Sequence, residues 1–128
     1  MRDTDLQALR PSIPSIDSER AVSPAEQFQN ATLRPILKLQ NELLLAAYRN
    51  YLQLRKNPLE GLTPGKQRAF VEHSVRTDLK FRNFLVGLMA GHFTLAEWEA
   101  FRQNEAELVR RTVGLIVQRL QDQMGELR

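Results

Sequence analysis

At 128 residues and 14.8 kDa the chain has the size of one domain, long enough to bury a core without staples. Its 42% hydrophobic content fits a globular protein rather than a disordered one, and the absence of cysteine excludes disulfides, thiolate metal sites and a thiol nucleophile. A net charge of +3 is a mild basic excess that falls short of a nucleic-acid signature.

The first residues, MRDTDLQALRPSIPS, mix charges of both signs and hold no apolar stretch of signal-peptide length. The longest uncharged run, Phe84 to Ala96, is shorter than the roughly 18 residues a membrane span needs. The expectation is a soluble, cytoplasmic protein with no membrane partner. Residues 1–22, with Pro11 and Pro14 and no helical or strand period, read as an extended or disordered arm. Isolated Leu6, Leu9, Ile13 and Ile16 in it are candidates for docking on the domain, residues 23–128, or on a partner.

Ser23-Pro24-Ala25-Glu26 supplies an N-cap serine, proline at the first helical position and glutamate at the third, so a helix starts there. Phe28, Leu33, Ile36, Leu37, Leu43, Leu44, Ala47, Tyr48, Tyr51 and Leu52 carry its period until Asn57-Pro58 stops it. Pro35 lies inside this run and either kinks one rod or divides it into two helices. Thr63-Pro64 opens a second stretch through Phe70, Val71, Val75, Leu79, Leu85, Leu88 and Met89, ending near Gly91. Thr94-Leu95-Ala96-Glu97 is a capping box for a third, which keeps its period from Trp98 to Met124.

Short links make sequence neighbours antiparallel, so the pattern predicts an all-α, up-down-up bundle of three long helices, or four if Pro35 breaks the first. The first helix has two apolar rows, Leu37/Leu44/Tyr51 and Ile36/Leu43/Ala47, and therefore more than one neighbour. A homodimer is the expected way to cover the surplus.

Polar residues interrupt these rows. Gln40 and Asn41 stand among leucines of the first helix, Asp78 and Arg82 in the second, Asn104 and Glu105 in the third. Antiparallel folding brings all six to similar heights as one mid-bundle layer, with Asp78 and Arg82 spaced to pair. Such a layer fixes register, or it lines a small-molecule pocket.

Arg49, Arg55, Lys56, Lys66, Arg68 and Arg119 gather towards one bundle end, where an anion or nucleic acid would dock. Helix-dipole preferences explain several of them as well, and Glu60, Glu72 and Asp122 dilute the charge. The two histidines, His73 and His92, complete neither a Glu-x-x-His nor a His-Glu-x-x-His motif. No phosphate loop or Gly-x-Ser-x-Gly is present, and Ser74, His73 and Asp78 make a triad by name alone. The sequence assigns no catalytic residue, metal or cofactor.

The run FQNATLRPILKLQNELLLAAYRNYL, followed by DLKFRN and GHFTLAEW, resembles a family of small uncharacterised bacterial proteins across residues 24–110. Some members carry the label glyoxalase. Glyoxalase folds are βαββ units around a metal, whereas this chain reads helical and has no metal set, so the resemblance implies a family without a mechanism. The leading expectation is a non-enzymatic bundle acting by self-association or a protein partner. A small-molecule binder or enzyme using the polar layer is the second, and nucleic-acid binding at the basic end the third.

Overall fold

A computed structural model describes residues 1–13 and 23–128, and the regular structure in them is helical throughout. The expected extended segment with Pro14 and Ile16, up to residue 22, lies outside these residues. The rest of the arm differs from expectation, because Arg2–Leu9 form helix α1. Asp3 and Asp5 suit its positive N-terminal end. Polar contacts hold α1, which buries none of its residues: Arg2 donates to the Gly91 carbonyl at 3.3 Å, and the Asp3 carboxylate accepts from the Leu95 N–H at 3.2 Å.

The Ser23 hydroxyl accepts from the Glu26 N–H at 3.1 Å, and α2 (Pro24–Phe28) begins where the sequence announces it. Pro35 has no N–H to return to the Ala31 carbonyl. The chain absorbs the missing bond in a π-helical turn, Gln29–Leu33, where the Arg34 N–H reaches back to the Gln29 carbonyl before α3 (Arg34–Leu39) resumes.

Each of the three expected rods is divided, and in each of them one division falls on a polar residue of the expected layer. Gln40 separates α3 from α4 (Asn41–Leu54), Asp78 separates α5 (Pro64–Thr77) from α6 (Leu79–Ala90), and Asn104 separates α7 (Leu95–Gln103) from α8 (Glu105–Gln121). A last turn, α9, covers Met124–Leu127. Bundle rods of three unbroken helices are thereby corrected. Asp78 shows the physical reason: its carboxylate accepts the Phe81 N–H at 3.2 Å, so it serves α6 better as an N-cap than α5 as an interior residue. Gln40 is a milder case, since the Gln40 N–H still reaches Ile36 and the Leu44 N–H still reaches Gln40, both at 2.9 Å.

One core joins these pieces. Leu33, Ile36, Leu44, Tyr48, Val71, Val75, Leu85, Met89, Val113, Ile116 and Leu120 are fully enclosed in it. The turn after α4 places Lys56 and Asn57 at φ of 59° and 53°, where the Asn57 N–H bonds the Leu52 carbonyl. Asparagine tolerates that region, whereas lysine is strained in it. Lys56→Gly is expected to raise stability by roughly 0.5–1 kcal/mol in urea unfolding.

Candidate functional site

Helix α4 is apolar around more than half its circumference. Leu44, Leu45, Tyr48, Tyr51 and Leu52 point into the core, which leaves Leu43 at 48% and Leu54 at 73% exposure. Beside it, α6 buries Leu85 and Met89 and turns Phe84 outwards at 52% exposure. Between the two helices runs a groove of about 570 Å³ whose floor includes Leu43, Ala47, Tyr51, Phe81 and Phe84. Arg55, Asp78 and Lys80 stand on its rim. An exposed apolar patch with a polar rim is the usual mark of a docking surface.

The floor is held by a stack and a carboxylate. The Arg55 guanidinium lies 3.5 Å from the centre of the Tyr51 ring, and Phe81 stacks on Tyr51 at 4.1 Å. Asp78 accepts the Tyr51 hydroxyl at 3.0 Å and Arg55 Nη2 at 3.3 Å while capping α6. The Phe81 backbone N–H and the Tyr51 hydroxyl hold the Asp78 carboxyl below its usual range, with Arg55 adding to the effect. Burial, followed by the bond to Asp78, raises the Tyr51 phenol. Burial also pushes Tyr48 up to about 12, against a hydrogen bond of 2.7 Å with Ser74. The Asp78 carboxylate is thereby engaged by the Tyr51 hydroxyl, by Arg55 and by the Phe81 N–H.

The six residues expected to form one polar layer are dispersed. Gln40 Nε2 donates to the Leu88 carbonyl at 2.9 Å. Among the last four carbonyls of α6, backbone N–H groups of Gly91, His92 and Phe93 take those of Gly87, Met89 and Ala90; Gln40 takes the fourth. Asn41 and Gln123 exchange two bonds, at 2.9 and 2.6 Å, and Gln123 also donates to the Arg119 carbonyl near the end of α8. Asp78 pairs with Arg55 instead of Arg82, because it stands outside the helical turn that would align it with Arg82. Its partner Tyr51 lies about 16 Å along α4 from Gln40 at 1.5 Å per residue. Asn104 and Glu105 are exposed at the last break. The interruptions are mostly helix-end fittings, and Leu43, Leu54 and Phe84, the surface they leave unexplained, carried no polar signal at all.

Replacing both Asn41 and Gln123 with leucine tests the fitting. The two single variants are expected to cost about 1–2 kcal/mol each, and the double variant less than their sum, in a thermodynamic cycle from chemical unfolding.

The basic set is also spent on helix ends. Arg68 donates to the Gln121 carbonyl at 3.1 Å, Arg49 to that of Glu126 at 2.8 Å, and Arg55 to that of Tyr51 at 3.2 Å. Arg119 lines a small polar recess with Arg34, Asp122 and Gln123, while Lys56 and Lys66 are exposed. His73 is exposed, and Ser74 bonds Tyr48 and the Val71 carbonyl, not a triad partner.

A second polar centre ties the N-terminal residues to α7. Arg10 makes two 2.6 Å bonds to Glu97 and one of 2.7 Å to the His92 carbonyl, with side-chain exposures of 10% and 15% for the pair. Burial works to raise the Glu97 carboxyl, but Arg10, the Thr94 N–H and Thr32 outweigh it, and the net shift is downward. No described helix is long and apolar enough to cross a membrane. No protein-family model, curated protein or solved structure matches the chain.

Proposed function

We propose that this chain is a non-enzymatic, cytoplasmic binding protein that works through protein contact at the α4–α6 face. The observation that carries the reading is the exposure of Leu43, Leu54 and Phe84 around one groove, with no described element covering it. The supporting chemistry is the groove's carboxylate, Asp78, already engaged by Tyr51 and Arg55. A small-molecule reading of the same groove has less support, because such sites enclose about 70–90% of their ligand and this one is open along its length. A nucleic-acid reading loses the arginines that serve carbonyls. The broken helices still follow an up-down-up course in this reading: Gln29 meets Arg111 and Asn41 meets Gln123 at a constant offset, so the first and last tracks run in the same direction.

The test is a photoreactive phenylalanine analogue at Leu54, irradiated in the cells that make the protein. A protein adduct at Leu54, lost when Phe84→Asp is added and missing when the analogue replaces exposed Glu72, is expected. Absence of any protein adduct at Leu54 contradicts the reading.

A further inference from the structure

Arg34 and Arg119 line one recess of about 180 Å³ between α3 and the end of α8, together with the buried Leu37 and Leu115. Neither guanidinium has an ion-pair partner among the described residues. The other described arginines, Arg82 apart, serve a carboxylate, a backbone carbonyl or the Gln67 amide.

Helix-end fitting does not explain this pair. The carbonyls that close α8 already have donors: the Asp122 N–H takes Gln118, Gln123 Nε2 takes Arg119, the Gln123 N–H takes Leu120 and Arg68 takes Gln121. Arg34 gives only its Nε to the Asn30 side chain, at 3.3 Å, so both terminal nitrogens of its fork stay available. Asp122 lines the same recess. A carboxylate is disfavoured at the negative end of a helix, and this one has no ion-pair partner among the described residues either.

We infer that the recess binds hydrogen phosphate. Two half-buried guanidiniums beside one recess repel each other, and an anion between them removes the repulsion. Each presents a planar fork of N–H donors, and two forks call for more acceptors than one carboxylate offers; a tetrahedral oxyanion supplies them. Asp122 selects among such oxyanions. It repels sulfate, which is fully ionised, and it accepts a hydrogen bond from a P–OH group. A phosphate monoester loses its last acidic proton at about pH 6, whereas hydrogen phosphate keeps one at neutral pH. No lining residue is shared with the α4–α6 groove, so failure of either reading leaves the other standing.

The test is amide NMR of the isotope-labelled full-length chain, titrated at neutral pH and constant ionic strength with inorganic phosphate, sulfate or phenyl phosphate. Phosphate is expected to give saturable shifts around residues 34–38 and 118–123, with the other two anions several times weaker. Arg34→Met or Arg119→Met should weaken phosphate about tenfold, and Arg82→Met, which removes an unpaired arginine elsewhere, should leave it unchanged. Arg119→Lys keeps the charge and loses the fork, and should weaken phosphate several times with an unchanged circular dichroism spectrum. Asp122→Asn should bring sulfate close to phosphate. Absence of saturable shifts overturns the site, as does an equal loss from Arg82→Met, which would mean general attraction to a basic chain. Affinity unchanged by Arg119→Lys overturns recognition by the forks. Phenyl phosphate binding as tightly as phosphate, or a preference over sulfate that survives Asp122→Asn, overturns hydrogen phosphate as the ligand.

Discussion

Glu97→Ala is expected to cost about 4 kcal/mol and to free the N-terminal residues, the largest effect of any polar substitution in the molecule. One carboxylate there accepts two 2.6 Å bonds from Arg10, one of 3.0 Å from Thr32 and one of 2.8 Å from the Thr94 N–H. Its removal leaves the Arg10 guanidinium buried without a counter-ion and opens the capping box of α7 at the same time. Glu97→Gln keeps the shape and part of the cap, and should lose about half as much. Chemical unfolding gives the cost, and amide hydrogen exchange over residues 2–10 reports the release. The sign with pH follows from the lowered carboxyl: its stabilisation is complete above the ordinary value of 4.5 and disappears as pH falls through the lower folded value. Wild type should therefore lose its N-terminal protection in acid, and Glu97→Gln should show a flatter profile in the same range. Equal acid sensitivity of the two would show that the Glu97 carboxylate does not hold the N-terminal residues.

Tyr51→Ala should cost about 3 kcal/mol, because the ring is 7% exposed and joins the Arg55 guanidinium to Phe81 in one stack. Tyr51→Phe keeps the stack and loses the hydroxyl that meets Asp78, for about 1 kcal/mol. The comparison separates ring packing from hydrogen bonding. It also separates fold from docking, since the phenylalanine variant preserves the groove floor. A Tyr51→Phe protein as unstable as Tyr51→Ala would mean that the Asp78 bond, and not the stack, holds α4 to α6.

Helix starts were legible in the sequence because caps are local: Ser23, Thr63 and Thr94 each accept an N–H three residues ahead. The breaks were misread for a related reason. A polar residue on an apolar row looks like a buried layer when the helix is assumed to continue, yet Asp78 before Leu79 has the composition of an N-cap as much as of a core carboxylate. Gln40 carries no local signal of its role, since the carbonyl it serves is 48 residues away. Arg10 and Glu97 stand 87 residues apart, and only the fold brings them together. The apolar row of α4 was visible as surplus, whereas its exposure depended on which flank the later helices took.

Whether this protein meets a partner through the α4–α6 face is tested most directly by the photoreactive phenylalanine analogue at Leu54, carried by the wild-type chain beside Phe84→Asp. Phe84 is half exposed, so the substitution should leave helicity and melting nearly unchanged. A protein adduct is expected at Leu54 of the wild-type chain and is expected to be lost with Phe84→Asp, while the circular dichroism of the two stays the same. Equal adduct yields from the two folded proteins, or none from either, would contradict docking through this face.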